Sequence, residues 1–184
     1  RNFETTQSVT KLWQPEGDTQ ILVTENPSYK DLRHRRTVFF VDQTYYVIVD
    51  EAIGDAKGTV NLNYHFCEGT VNIDVKENAI TTAYEGPSNV KLQCFPETEA
   101  SLKEEEGWRS TAYRQRVPRT SLSFNVNKNN AEAVRYITII YPVKDITKYP
   151  TLTAKFQNKG FDEKGVKVEV SVNGTARQLM SQLK

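Results

Sequence analysis

Apolar and polar residues alternate with a period of two along much of this chain. The alternation is clearest in four segments, at residues 60–66, 122–126, 152–156 and 166–172. A period of two predicts a β-strand with one buried and one solvent-exposed face, as an antiparallel sheet allows. About a dozen or more such short strands, separated by turn signals, predict an all-β fold with very little helix. We expect a large antiparallel two-sheet β-sandwich of the supersandwich-like kind.

Three segments are apolar on both faces and therefore predict strands covered on both sides. They are residues 37–41 (TVFFV), 45–49 (YYVIV) and 136–141 (YITIIY). The first two are joined by a tight turn at 42–45, and if its end residues face each other, Val38 lies opposite Val49. The Asn-Gly pair at 173–174 is typical of a type I′ hairpin turn.

One stretch has helical composition. Residues 97–106 (ETEASLKEEE) carry five Glu and one Lys, and Gly107 would end the helix. The stretch has a net charge of −4, and four arginines follow it within the next predicted strands. We interpret the acidic stretch and the arginine-containing segment after it as a solvated acidic loop beside a basic strand. The arginines are Arg109, Arg114, Arg116 and Arg119.

The overall charge and length narrow the classes of function. The chain has 184 residues with 24 Lys and Arg against 23 Asp and Glu, a net charge of +1. A nearly neutral single domain has no general attraction to nucleic acid or to an anionic membrane. No apolar run is long enough to span a bilayer. Because the chain begins at Arg1 rather than Met, we expect a processed protein or a piece of a longer one.

The two cysteines, Cys67 and Cys94, are expected to remain unpaired. Cys94 shares strand parity with apolar residues, whereas Cys67 shares parity with the polar residues Asn61, Asn63 and His65. Side chains on opposite faces of a sheet rarely reach disulfide geometry.

The best candidate for a binding site is the basic cluster Arg33, His34, Arg35 and Arg36. The forked donors of a guanidinium match the oxygens of sulfate and carboxylate groups. Strand alternation, however, places Arg35 on one face and His34 with Arg36 on the other. The alternative is structural pairing, of Arg36 with Glu51 and of Arg35 with Asp50 or Asp31.

Other polar and aromatic residues are weaker candidates for sugar binding. The row formed by Asn61, Asn63 and His65 fits sugar hydroxyls, but it also fits ordinary solvation of an outer face. Five aromatic residues fit stacking on sugar rings, although aromatics on strands more often pack in a core; these are Trp13, Trp108, Tyr45, Tyr46 and Tyr113. The chain has two histidines and none of the familiar nucleophile, phosphate-loop or zinc motifs. We therefore expect no complete catalytic or metal site.

Several segments resemble the heparinase II/III-like polysaccharide lyases. Residues 33–52 (RHRRTVFFVDQTYYVIVDEA) resemble the family pattern of His-Arg-Arg followed by a hydrophobic hairpin that ends in Val-Asp. Residues 6–29 are similar to heparinase III enzymes that act on heparan sulfate. Residues 102–107 (LKEEEG) and 158–165 (NKGFDEKG) also resemble that subgroup.

The resemblance implies a fold and a reaction. Such lyases join an N-terminal α/α toroid to a C-terminal β-sandwich and cleave a glycosaminoglycan by β-elimination at a uronic acid. It implies that residues 1–184 are a single C-terminal domain, partnered by the toroid and by sulfated glycosaminoglycan, in a periplasmic or secreted enzyme.

The family motifs that supply a catalytic His and the ligands of a structural divalent metal do not occur here, and Arg1 begins a few residues after them. No catalytic or metal role is therefore assigned to this chain, His34 and His65 included. We expect the isolated chain to hold no cofactor and to be inactive as a lyase.

Two alternatives remain open beside an accessory domain of a lyase. One is a stand-alone carbohydrate-binding module for sulfated polysaccharide, which requires exposed arginines or aromatics on one face. The other is a structural or adhesive sandwich, which a large exposed apolar patch would favour. For a piece of a lyase, we expect instead an apolar patch near the N-terminal strands where another domain was attached.

Overall fold

The fold comes from a computed structural model that describes residues 8–183, with the backbone only at Ser28. The start of the chain, where Arg1 was compared with the family motifs, and part of segment 6–29 lie outside the described residues. Residues 8–183 form sixteen strands and no helix. The strands are β1 Val9–Gln14, β2 Thr19–Tyr29, β3 Leu32–Val41, β4 Tyr45–Ile53, β5 Gly58–His65, β6 Val71–Asp74, β7 Ala79–Thr82, β8 Asn89–Pro96, β9 Ser101–Glu105, β10 Trp108–Ala112, β11 Gln115–Pro118, β12 Ser121–Lys128, β13 Val134–Val143, β14 Leu152–Phe156, β15 Lys167–Val172 and β16 Thr175–Met180.

All strand pairs are antiparallel, and one large sheet organises the molecule. Its eight strands follow the order β1-β2-β3-β4-β13-β8-β7-β6. The segments that are apolar on both faces become β3, β4 and β13 at its centre, which confirms their prediction as central strands. Two three-stranded sheets, β5-β12-β9 and β14-β15-β16, and the separate β10-β11 hairpin complete the fold.

The central sheet is covered on both faces by different small sheets. On one face Phe39, Val47 and Ile139 pack against Val168 and Val170 of the β14-β15-β16 sheet. On the other face a second core joins the central sheet to the β5-β12-β9 sheet; it includes Leu92, Cys94, Tyr136, Leu122 and Phe124. The predicted all-β antiparallel sandwich is confirmed. In place of one second sheet, a small three-stranded sheet packs on each face of the central sheet. Cys94 is buried, Cys67 is exposed, and both are free.

The β3–β4 hairpin differs from its predicted register by one residue. Val38 lies opposite Ile48 rather than Val49. Val41 pairs with Tyr45, so the loop has three residues, 42–44, and Asp42 is the one added to the expected two. Asp42 and Gln43 have φ of 49° and 50°. The type I′ turn at 173–174 is confirmed, since Asn173 and Gly174 both have positive φ between β15 and β16.

The predicted helix at 97–106 is wrong, because this segment contains strand β9. Residues 101–105 pair with β12, and the pairing buries Leu102 while its neighbours remain exposed. Helical propensity is a weak preference that a hydrogen-bonded partner strand overrides. No helix of the described residues is long and apolar enough to cross a membrane.

Candidate binding site on strand β3

Strand β3 divides the basic cluster between the two faces of the central sheet, as the alternation predicts. Arg33 and Arg35 face the side that carries the β14-β15-β16 sheet, and His34 and Arg36 face the side that carries β5. The structure therefore does not bring the four residues together. It builds two different sites from them.

Arg35 is structural. It is 1% exposed, and its Nε donates to Glu25 Oε1 at 2.7 Å while its Nη2 donates to Glu163 Oε2 at 2.8 Å. Its Nη1 donates to the carbonyl oxygen of Asp162 at 3.0 Å, and its guanidinium carbon lies 4.7 Å from the ring centroid of Phe161. All three of its nitrogens are thus directed at protein groups. This arrangement corrects the expected pairing of Arg35 with Asp50 or Asp31 and leaves no donor for a ligand.

Arg35 belongs to a row of alternating charges that crosses four neighbouring strands, β2, β3, β4 and β13, and ends at the residue that follows β8; we call it the charge row. Its members are Glu25, Arg35, Glu51, Arg135 and Glu97. Arg135 is fully buried and donates to both Glu51 and Glu97 at 3.0 Å. Its guanidinium carbon lies 3.8 Å from the ring centroid of Phe156. The row and its two stacked rings attach the β14-β15-β16 sheet to the central sheet.

Glu51 is the least satisfied member of the charge row. Its Oε2 is buried and has no hydrogen-bond partner among the described residues. Burial raises the pKa of Glu51, and the nearby Arg135 and Arg35 only partly offset that effect.

The other face of β3 carries a compact ionic cluster centred on Asp50. His34 Nε2 lies 2.6 Å from Asp50 Oδ1, and Arg36 donates from Nε at 2.7 Å and from Nη2 at 3.1 Å. This pairing replaces the expected contact between Arg36 and Glu51, because the one-residue shift of the hairpin sets Asp50 opposite Arg36. Burial alone would raise the pKa of Asp50, but the hydrogen bonds from His34 and Arg36 together outweigh it and lower that pKa.

A cleft of about 560 Å³ opens above this cluster. It lies beside β5, the edge strand of its three-stranded sheet, where that sheet stops covering the central one. His34, Arg36 and Asp50 line one wall, and Asn61 and Asn63 of β5 line the other.

The cleft can bind a polar ligand by hydrogen bonds from both walls. The side chains of His34 and Arg36 are 37% and 40% exposed, so each retains a surface that a ligand can reach. A guanidinium, an imidazole and two amides suit the hydroxyl, carboxylate and sulfate groups of an acidic sugar. Asp50 was not singled out as a site residue in its own right. Its sequence signal is the adjacent pair of carboxylates, Asp50 and Glu51, within an otherwise apolar central strand.

The remaining candidates divide between core and surface. His65 lies outside the cleft, and its Nδ1 is 2.8 Å from the hydroxyl oxygen of Ser121. Tyr45 is 6% exposed and stacks on Tyr141, so it belongs to the core. The other four aromatic candidates, Trp13, Tyr46, Trp108 and Tyr113, are exposed. Among the described residues, no group of three His, Cys, Asp or Glu side chains is arranged to hold a metal ion.

The sequence matches known proteins along nearly its whole length. The family model described as "Heparinase II/III-like, C-terminal" matches residues 1–155. A heparin-sulfate lyase of Bacteroides stercoris is 54% identical over 179 residues, which are 97% of this chain and 27% of that protein. A heparin-sulfate lyase of Bacteroides thetaiotaomicron is 37% identical over 171 residues, 89% of this chain and 24% of that protein.

Solved structures agree with the sequence matches. A structure described as the heparinase III-BT4657 gene product superposes with a TM-score of 0.95 and 56% identity, covering 100% of this chain and 29% of that one. The heparan sulfate lyase HepC of Pedobacter heparinus superposes with a TM-score of 0.87 and 28% identity, covering 97% of this chain and 28% of that one. The chain spans between 24% and 29% of the length of these relatives, and so it is part of a larger chain with other domains. It belongs to the heparinase II/III family and corresponds to the C-terminal region of its members.

Proposed function

We propose that the protein containing this chain is a lyase that cleaves heparan sulfate by β-elimination. In this proposal the chain is the scaffold and one edge of the substrate cleft. The observation that carries it is the match of 97% of the chain to a heparin-sulfate lyase at 54% identity. β-Elimination needs a base for the C5 proton of the uronate, a group that stabilises the carboxylate, and an acid for the leaving oxygen. The resemblance to the heparinase II/III-like lyases implies that the toroid and the segment preceding Arg1 supply these groups.

The His34–Arg36–Asp50 cleft holds an acidic sugar beside the reacting bond. Arg36 and His34 bind a carboxylate or sulfate, and Asn61 and Asn63 bind hydroxyl groups. Asp50 orients both side chains, because each of them hydrogen-bonds to its carboxylate. These residues position substrate and take no part in proton transfer.

The partner of this chain in the longer protein is the α/α toroid, joined through the uncovered part of the central sheet. An apolar row crosses four strands there: Trp13, Leu22, Val38 and Ile48. Trp13 is 63% exposed, and Tyr46 beside the row is 39% exposed and stacks on Phe40 at 4.5 Å between ring centroids. An apolar face of this kind is where further chain packs. It matches the patch expected near the N-terminal strands.

Two further expectations are part of the same proposal. The enzyme works in the periplasm or outside the cell, where its polysaccharide is found. A structural divalent metal is held by residues upstream of Arg1, as the resemblance to the family implies.

The test compares three forms of the protein on heparan sulfate: the full-length product, this chain alone, and the remainder without this chain. Formation of the unsaturated uronate is followed by its ultraviolet absorbance. We expect activity from the full-length product, none from either part, and partial recovery when the two parts are mixed. A full-length product without lyase activity, or a remainder that is fully active alone, would contradict the proposal.

A second experiment concerns the cleft. In the full-length protein Arg36→Gln should raise KM more than it lowers kcat, since it weakens binding before the reaction. The matched control is Lys144→Gln, which removes one positive charge from an exposed residue at a distance along the chain. An unchanged KM in the Arg36 variant would exclude the cleft from substrate binding.

The alternative function is a stand-alone binding module for sulfated polysaccharide. The exposure of His34 and Arg36 in the cleft favours it. Because Arg35 is buried, an Arg35→Ala change would report on folding, and Arg36→Gln with His34→Gln is the informative pair. Heparin binding by this chain alone that matches the full-length protein and disappears in this pair would favour the module.

A further inference from the structure

The β10–β11 hairpin stands apart from both cores. Every residue of its two strands is exposed, and they form a two-stranded sheet of their own. A two-stranded hairpin gains little stability by itself in water. Its exposed side chains therefore belong to neither core; Trp108 donates from Nε1 to Glu106 Oε1 at 2.7 Å.

The base of the hairpin is held closely to the body of the protein. The Arg119 N–H donates to the Gly107 carbonyl at 3.0 Å. A Cβ at Gly107 would collide with Ser121 Oγ and lie 2.6 Å from the Arg119 carbonyl oxygen, so only glycine fits this approach. The base of the hairpin is thus held against the start of strand β12.

The hairpin is strongly basic. Residues 108–119 contain four arginines and no Asp or Glu. Arg109 pairs with Glu68 at 2.6 Å. Among the described residues, Arg114 and Arg116 have neither a hydrogen bond nor an ion pair, and both are exposed. Two guanidinium groups are therefore free to bind an anion.

Both of these arginines lie over aromatic rings. The guanidinium carbon of Arg116 is 4.2 Å from the ring centroid of Trp108, and that of Arg114 is 5.2 Å from the ring centroid of Tyr113. Tyr113 is 87% exposed. Such stacking holds a flexible arginine in place while its donors remain open.

We propose that the β10–β11 hairpin binds the sulfated uronate polysaccharide at a second contact, separate from the His34 cleft. The choice of polysaccharide rests on the proposed function. Forked guanidinium donors fit sulfate and carboxylate groups, and exposed aromatic faces fit the apolar side of a sugar ring. Trp108 lies at the base of the hairpin and Tyr113 at its turn, so a polymer contacts both pairs where a small anion does not.

The competing occupant is another domain of the longer chain. Protein interfaces are depleted in most charged residues at their centre, but arginine and aromatic residues are enriched there. The composition of the hairpin therefore fits either occupant, and its four arginines without an Asp or Glu favour the anionic one. The apolar row on β1–β4 has the composition expected of such an interface.

The test uses the full-length protein with Arg114→Gln and Arg116→Gln combined. Binding to immobilised heparin should weaken about tenfold, as expected for the loss of two exposed ionic contacts. The dependence of log affinity on log salt should become shallower by about one for each arginine removed. KM for heparan sulfate should rise with kcat unchanged. The matched control is Lys76→Gln with Lys144→Gln, which removes the same charge from two exposed lysines.

A second variant tests the aromatic contribution. Trp108→Ala should weaken heparin binding without changing the salt dependence, because it removes stacking and no charge. If neither hairpin variant differs from the lysine control in elution or KM, the proposal is overturned. It is also overturned if kcat or thermal stability falls while heparin elution is unchanged, since that result identifies contact with another domain.

The outcome is separable from that of the proposed function. A full-length protein without lyase activity whose hairpin variant still loses heparin binding would refute the lyase and keep the hairpin as a polyanion site. An active lyase whose hairpin variant binds heparin normally would support the proposed function and refute the hairpin as a binding site.

Discussion

The charge row and the β10–β11 hairpin use the same local geometry for different ends. In the charge row Arg35 and Arg135 stack on phenylalanines, and in the hairpin Arg114 and Arg116 stack on a tyrosine and a tryptophan. The buried arginines also face carboxylates from neighbouring strands, whereas the hairpin arginines face solvent. A ring beneath a guanidinium therefore does not reveal its role. The ionic partners and the burial do.

The difference has an energetic reason. A buried charge is tolerated only when partners replace its lost hydration, and Arg135 meets that condition with Glu51 and Glu97. The alternating charges also tie four strands, β2, β3, β4 and β13, to one register. A slip of one residue would move a charged side chain to the opposite face of its strand. An exposed arginine keeps its hydration and fixes nothing in the fold, so it remains available for a ligand.

The largest effect is expected from Arg135→Met. The change removes the ion-pair partner of Glu51 on β13 and leaves the Glu51 carboxylate buried. We therefore expect a loss of about 3–5 kcal/mol in the free energy of unfolding. Urea denaturation of this chain measures it. Adding Glu51→Leu to the same protein removes the stranded charge and should restore most of the loss. A single variant as stable as the original would show that the charge row does not support the fold.

A smaller loss is expected from Arg35→Met, about 3 kcal/mol, because one of its partners, Glu163, is itself 64% exposed. The loss should be concentrated where Arg35 holds Asp162 and Phe161 to the sheet. Hydrogen exchange should therefore quicken in residues 157–165 more than in β3. Uniform acceleration over the whole chain would contradict this local role.

Asp50 and Glu51 should make the stability of the fold depend on pH in opposite ways. They are neighbours on opposite faces of β4, and their pKa values shift in opposite directions. The pKa of Asp50 is lowered from 3.8, so its stabilising contribution is present above that pH and is lost as pH falls below it. The pKa of Glu51 is raised from 4.5, so its contribution is present below that pH and is lost as pH rises through the raised value.

Unfolding free energies measured from about pH 3 to about pH 7 test these signs. Asp50→Asn should reduce the loss of stability at the acidic end. Glu51→Gln should remove the loss that accompanies rising pH above 4.5. If both variants change the pH profile in the same direction, the two carboxylates do not differ as the structure indicates.

Features that depend on strand period alone could be predicted from the sequence. The alternation in residues 33–41 is enough to place Arg35 and Arg36 on opposite faces, whatever the partner strands are. The apolar centres of β3, β4 and β13 required only the count of apolar residues on each face. The family resemblance likewise rests on local residues, and the comparisons confirm it.

Features that depend on pairing between distant strands could not be predicted from the sequence. The charge row joins residues as far apart as Glu25 and Arg135, and its order follows from the sheet topology. A single extra loop residue, Asp42, moved Arg36 from Glu51 to Asp50 and so changed the chemistry of the cleft. The strand at 101–105 was missed because its partner β12, and not its own composition, determines its conformation.

The smallest expected effect belongs to the hairpin. Arg114→Gln combined with Arg116→Gln should change the free energy of unfolding by no more than about 0.5 kcal/mol, the usual range for exposed side chains without partners. Urea denaturation of this chain, compared with Arg135→Met under the same conditions, provides the measurement. A loss near that of Arg135→Met would mean that the hairpin arginines stabilise the fold. Near-zero loss together with weakened heparin binding would place the two groups of stacked arginines in different roles, one in folding and one in recognition.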